Sequence, residues 1–419
     1  MKIVIVGAGV AGLYAAWHLA KSHEVIVLEA DDRLGGHADT HRIAEPDREL
    51  WIDSGFIVFN EHHYPLLTGW FEELGVRWRD SNMSFAVSDE ATGLEYNATG
   101  LNRLFCQRRN LFSPRFLGMV RDIVRFYRQA PQLLETLDDQ LTLGQWLDAS
   151  GLGSMFREQH LLPMASALWS APMGQITDFP MRHLLKFMDN HNMLQLKGRP
   201  TWRTVAGGSR SYVEKASRCS ARFETACPVK AVRRRQDGLT VVTDTDEIVA
   251  DQVILACHSD QALRLLDQPT RSEREVLGAI GYQPNEVVLH TDTSLLPRLP
   301  AARAAWNVRR QVGDQEQCQV SYYMNLLQGI NSRRDYIVSL NQTEQVDPAR
   351  ILVRRQYQHP VFTPEAVAAQ ARWDEINGRD GVWFCGAWWG WGFHEDGARS
   401  ARRVVDALDR VAGDQGRDG

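Results

Sequence analysis

Apolar residues at the start of the chain come in short unbroken runs, not alternating ones. Lys2-Ile-Val-Ile-Val6 and Glu24-Val-Ile-Val-Leu28 flank Leu13-Tyr-Ala-Ala-Trp-His-Leu-Ala20. Four-residue apolar runs of β-branched character read as strands covered on both faces, and the segment between them as the crossover helix of a βαβ unit. From about 81 to 199 the spacing changes to a helical period, clearest over Phe116–Tyr127 and Leu141–Leu152. A Gly-Gly-Ser turn at Gly207–Ser209 opens a further helix, and strands are predicted over 228–232, 239–242 and 251–256. Residues 266–375 mix strands (286–290, 319–324, 336–340) with loops, and a last strand, Val382–Cys385, precedes a helix from Asp396 to Val405. The tail Gly413–Gly419 reads as frayed. The pattern predicts an α/β protein with one domain assembled from 1–80, 200–265 and 376–419, and a second from 81–199 and 266–375.

The turn between the first strand and helix is Gly7-Ala-Gly-Val-Ala-Gly12. Gly7 permits the turn, Gly9 lets backbone approach a diphosphate, and Gly12 lets helix and strand pack closely, with Ala11 in the same cradle. The helix N-terminus then offers unpaired N–H groups and a favourable dipole to phosphate. Glu29 ends the second strand at the distance where an acid takes a ribose hydroxyl. A lone glycine motif is weak evidence. Followed by Glu29 and then Arg33-Leu-Gly-Gly36, it points to FAD, because a nicotinamide unit has no need of a Gly-Gly turn after the acid.

These motifs resemble the FAD-dependent amine oxidase, protoporphyrinogen oxidase and phytoene desaturase superfamily. The resemblance implies a glutathione-reductase-type Rossmann FAD-binding domain with an inserted α+β substrate domain, and noncovalent FAD. It assigns cofactor contacts to Arg33, Gly35, Gly36, His37, Gly55, Phe56, Val229, Gly386, Glu395, Asp396 and Gly397. His37 stands where the superfamily has Arg, and it lacks the bidentate fork of a guanidinium. Trp388 stands where amine oxidases carry an acid two residues after the glycine. The helix after Gly386 is expected to favour negative charge on the flavin.

The segment Gly392-Phe-His-Glu-Asp-Gly397 resembles a bacterial subfamily of these flavoproteins that accompanies enzymes of cyclopropane or methyl-branched fatty acid synthesis. Asn190-His191, Trp202–Ser209, Trp306-Asn307, Tyr323–Gln328 and His359–Thr363 match it too. This implies dehydrogenation of an unsaturated or methyl-branched acyl chain by hydride transfer to flavin N5. His394 and Glu395 are the candidate bases, although a Glu at a helix start is equally a cap partner. Trp389, Trp391, Phe393, His191 and Tyr323 are candidate pocket residues; the loop tryptophans read as pocket walls or as packing at the domain junction. Two further enzyme readings stand, a flavin amine oxidase and a redox-neutral double-bond isomerase, besides a flavin-free escort protein of the same fold. The electron acceptor is left open.

Composition narrows the setting. A net charge of −5 across 419 residues gives no global basic field for nucleic acid. Six cysteines without a CxxC pair argue against a metal or dithiol centre and for a reduced, cytoplasmic location. The apolar run Ile3–Trp17 mimics a signal segment, but it carries the dinucleotide glycines. One stretch opposes the overall charge: residues 103–128 hold Arg103, Arg108, Arg109, Arg115, Arg121, Arg125 and Arg128 against Asp122 alone. Interleaved with Phe112, Phe116 and Leu117, these arginines read as a docking face for the inner surface of an anionic membrane, or as the solvated side of a core helix.

Overall fold

The computed structural model describes residues 1–195, 198–236, 238–311 and 318–415. It divides into two compact units, the first built from 1–79, 205–282 and 365–419, the second from 80–204 and 283–364.

Unit one is organised on a parallel sheet whose strands run, edge to edge, Val382–Phe384, Gln252–Leu255, Lys2–Val6, Glu24–Leu28 and Arg222–Glu224. The helix Val10–Leu19 crosses between the third and fourth of these. One sheet face packs Val4, Val6, Ile26, Leu28, Val253, Leu255 and Phe384 into a common core with Val276, Leu277, Ile280, Ala366 and Ile376. That shared core is why 266–282 and 365–375, read from sequence as substrate elements, sit in unit one. The short outer strand Arg222–Glu224 has only three residues and no distinct apolar run, so the sequence pattern did not reveal it.

The expected strand at 228–232 begins only at Ala231 and runs to Arg235. Pro228 has no N–H to give a ladder, and pairing starts where the Lys230 N–H donates to the Val242 carbonyl at 2.8 Å. The C-terminal helix starts earlier than Asp396 and extends over His394–Gln415. Residues 413–415, expected to fray, are therefore helical, while 416–419 lie outside the described residues.

Unit two holds a mixed sheet in the order Ile351–Val361, Gly281–His290, Ile337–Leu340, Val320–Tyr323, Trp306–Arg310, Phe85–Asp89 and Leu94–Asn97. The last two strands fall where a helical stretch was expected. Ala86 and Val87 are both fully buried, so period-2 alternation is missing from the pattern, and the hairpin signal is a single left-handed glycine, Gly93. The helix expected over Phe116–Tyr127 is present and longer, Pro114–Thr136, and the one expected over Leu141–Leu152 is shorter, Leu143–Ala149. The long helix buries Phe116, Met119, Phe126 and Ala130, a stripe at helical spacing, and Ser113 caps it by accepting the Phe116 N–H. Among the described residues, no helix is long and apolar enough to cross a membrane.

Candidate functional site

The glycine turn is shaped by close backbone approach. A Cβ on Gly12 would lie 1.9 Å from the Gly7 carbonyl oxygen, and one on Gly7, at φ +102°, would lie 2.9 Å from the Ala256 carbonyl oxygen. At Gly9 the same Cβ would meet nothing within 4 Å. So two glycines close the turn and the third faces open space. Gly9 caps the helix Val10–Leu19 without a side chain. The Leu13 N–H is the donor to the Gly9 carbonyl, so the N–H groups ahead of it have no acceptor in their own helix. This is a cradle of backbone donors suited to a diphosphate.

Glu29 lies beside this turn. Its carboxylate accepts the Ala8 N–H at 2.7 Å and the Asp31 N–H at 3.0 Å. A carboxylate has about four acceptor directions, so capacity remains for a ribose hydroxyl. The following loop folds back over the turn: the Gly35 N–H donates to the Ala8 carbonyl, and a Cβ on Gly36 would sit 3.2 Å from the Gly9 Cα. Arg33 braces this loop from within, donating to the Gly36 carbonyl at 2.8 Å and pairing with Asp39 at 3.4 Å. It therefore shapes the glycine loop in addition to any contact with a phosphate. His37 lies with its ring 6.2 Å from that of His258, and Val229 is partly buried against the sheet core.

Behind the loop, a hairpin of Thr40–Ala44 and Glu49–Asp53 leads into Gly55 and Phe56. Gly55 is dictated by contact, since a Cβ there would lie 2.1 Å from the His37 carbonyl oxygen. Asp53 is buried and accepts from the Ser209 N–H at 2.9 Å, the Ser209 hydroxyl at 2.8 Å and the Thr40 hydroxyl. Burial pushes its carboxyl up to about 6, against the opposing pull of these donors. Asp53 thus ties the Gly207–Ser209 turn to the hairpin.

The C-terminal motif completes the arrangement. A Cβ on Gly397 would lie 2.7 Å from Val10 Cγ1, so the starts of the helices His394–Gln415 and Val10–Leu19 abut. Gly386 donates its N–H to the Ser400 hydroxyl at 2.8 Å. Asp396 is buried and accepts the Trp391 and Phe393 N–H groups, each at 3.0 Å; burial raises its carboxyl to about 6. Glu395 accepts the Leu66 N–H at 3.1 Å and the Leu67 N–H at 2.9 Å, capping the helix Pro65–Glu73. His394 stacks on Phe56 with ring centroids 3.7 Å apart, and its Nε2 is 3.2 Å from the Tyr212 hydroxyl. Burial lowers its imidazole to about 3, so it is neutral at physiological pH.

The four loop aromatics separate by role. Trp388 is buried and donates its indole N–H to the Cys257 carbonyl at 3.1 Å. Trp389 stacks on it at 4.3 Å, donates to the Phe384 carbonyl and packs against the sheet core. These contacts make Trp389 a packing residue of the sheet core. Trp391 and Phe393 are partly exposed on the turn itself. His191 and Tyr323 belong to unit two. His191 is buried, stacked on Phe187 at 4.0 Å, with Nδ1 2.9 Å from the Phe187 carbonyl oxygen. Tyr323 donates its hydroxyl to Asp335, and burial pushes it up to about 12.

Tyr212 and Ser400 were not singled out from sequence, and Ser209 only as the end of a turn. The one available signal was position: Tyr212 lies three residues past the Gly-Gly-Ser turn, on the first turn of the helix Arg210–Ala216.

These features fit FAD. The open Gly9 face and its helix start would hold the diphosphate, Glu29 the ribose, the Gly35–Gly36 loop the adjoining segment, and the start of the helix His394–Gln415 the flavin end. Comparison with known proteins agrees. The chain resembles 15-cis-phytoene desaturase of Narcissus pseudonarcissus, at 28% identity over 186 residues, covering 40% of this chain and 31% of that protein. A putative flavin-containing monoamine oxidase, AofH, of Mycobacterium tuberculosis is 27% identical over 278 residues, 61% of this chain and 56% of the relative. The match thus spans under a third of the phytoene desaturase's length. Among solved structures, cyclohexylamine oxidase from Brevibacterium oxydans IH-35A superposes with a TM-score of 0.73 at 14% identity, over 98% of this chain and 99% of that one. A CLA-producing fatty acid isomerase from P. acnes gives 0.69 at 14%, over 97% and 98%. At such identities these two speak for the fold alone. The family model described as flavin containing amine oxidoreductase matches residues 10–335, and the chain belongs to that family of FAD-dependent oxidoreductases.

Proposed function

We propose that the protein dehydrogenates a fatty acyl chain of a lipid, removing hydride from an allylic or branched carbon and a proton from its neighbour. The observation that supports this reading is the chemistry of the turn Gly392–Gly397. Its two carboxylates face inward onto backbone N–H groups, and its other side chains are an aromatic ring and a neutral imidazole. Such a surface suits an uncharged hydrocarbon. An ammonium group would need an uncommitted carboxylate, which this turn lacks, and of the four loop rings Trp388 and Trp389 are turned into the core, leaving Trp391 and Phe393.

FAD, when bound, would supply the two-electron acceptor for the hydride. His394 is the proposed proton acceptor. In the tautomer whose Nε2–H donates to the Tyr212 oxygen, 3.2 Å away, Nδ1 keeps a lone pair. Burial makes this a weak base, which is adequate because a C–H beside an electron-deficient carbon is strongly acidic. Phe56 fixes the ring plane by stacking. The proton is not assigned to Glu395, whose oxygens hold the Leu66 and Leu67 N–H groups. The substrate loses two hydrogens in all.

Mass analysis of phospholipid acyl chains after incubation with the purified flavoprotein tests this. A product lighter by two hydrogens is expected. An unchanged mass with a moved double bond would replace dehydrogenation by isomerisation, and inert lipids beside peroxide formed from amines would overturn the acyl reading.

A further inference from the structure

We infer that residues 101–128 of unit two form a docking surface for an anionic lipid bilayer. Exposed large apolar side chains are scarce among the described residues, yet four of the seven fall within 101–117: Leu101 at 74% exposure, Leu111 at 44%, Phe112 at 86% and Leu117 at 44%. Phe112 and Leu101 protrude from a short helical turn at Arg108–Phe112 and a one-turn helix at Leu101–Leu104. A phenyl ring left almost wholly in water costs solvation free energy that partition into an acyl boundary recovers.

The charge around these side chains is of one sign. All seven arginines between 103 and 128 are exposed. The one acid of the stretch, Asp122, is buried, with its oxygens on the Gly153 N–H and Arg121. The stretch 101–128 therefore presents positive charge with no exposed acid of its own, on a chain whose net charge is −5. Along the helix Pro114–Thr136 the basic face continues as an open concavity lined by Val120, Val124, Arg121, Arg125, Arg128 and Gln129. Apolar tips flanked by arginine match an anionic headgroup layer over hydrocarbon. A second copy fits poorly, since a two-fold contact would set arginines against arginines, and nucleic acid offers Phe112 and Leu101 no apolar phase.

This surface stands apart from the acyl-chain reading, and each can fail alone. Sedimentation of the full-length flavoprotein with phosphatidylglycerol-containing and with pure phosphatidylcholine vesicles tests it. Arg108 and Arg109 also brace the Phe105 and Gly93 carbonyls, so the charge variant is Arg115→Glu with Arg125→Glu. Wild type should pellet with anionic vesicles only. The double variant should bind at least roughly 25-fold more weakly, from about fivefold per arginine. Phe112→Ser should weaken binding about tenfold while keeping the salt dependence. Turnover of detergent-dispersed substrate should be unchanged in both variants. Wild type that stays in the supernatant at low salt, or a charge variant that pellets equally well, would overturn the docking surface. So would a dimer that Phe112→Ser dissolves.

Discussion

Gly55 occupies a position where even a methyl group would overlap the His37 carbonyl oxygen. Gly55→Ala must push the glycine loop away from the hairpin, so it should cost about 3 kcal/mol of stability and release flavin, read by denaturant unfolding and by 450 nm absorbance, about the usual oxidised band. At Glu395 a structural and a catalytic role predict different numbers. As a cap on Leu66 and Leu67, Glu395→Gln should lower stability by about 1–2 kcal/mol and leave flavin reduction within about tenfold of wild type; a loss of 10²-fold or more, typical of a general base, would make it the catalytic base. His394 carries a pH signature. Its folded value near 3 lies below the ordinary 6.5, so the unfolded chain takes up the proton first, and the contribution is complete above 6.5 and shrinks as pH falls. Asp53 and Asp396, raised from 3.8 to about 6, act oppositely, gaining stability as pH falls from 6 through 3.8. Comparison with His394→Gln isolates the histidine: between pH 7 and pH 5 wild type should lose about 2 kcal/mol more than the variant. Equal losses would place the imidazole in ordinary solvent. The glycines were legible because each solves a backbone problem at a fixed spacing. Tyr212 was not, since a tyrosine on a helix has the same local pattern whether it packs or positions a histidine.

At the scale of elements, the site is the meeting of two helix starts. Val10–Leu19 and His394–Gln415 abut through Gly397 and Val10, and their unpaired N–H groups and dipoles favour negative charge at that point. Gly397→Val should separate them. It is expected to weaken FAD retention about tenfold or more in an equilibrium release assay, from the loss of roughly 1.4 kcal/mol of dipole and contact energy, with a smaller effect on global unfolding. The strands Lys2–Val6 and Glu24–Leu28 were legible as unbroken apolar runs. Phe85–Asp89 was hidden because it pairs with Trp306–Arg310, more than two hundred residues away, and the edge strand Leu94–Asn97 pairs with Phe85–Asp89 in turn. Local sequence carries no record of such a partner.

At the scale of the whole molecule, three separated segments build one sheet and one core, and two others build the second unit. The sequence showed the returns of the chain to the first sheet as motifs. It placed their edges by motif spacing, whereas the fold sets them by packing, so Val276, Leu277 and Ala366 joined the sheet core. Family and cofactor follow from the first unit. The proposed substrate class rests on what its last turn leaves available, which is rings and a neutral imidazole with both carboxylates occupied. Anaerobic titration of the purified flavoprotein, followed by flavin absorbance, tests that most directly. Bleaching by phospholipids with unsaturated or methyl-branched acyl chains, with alkyl amines and polyamines inert, is the predicted result. Bleaching by amines alone would contradict the account.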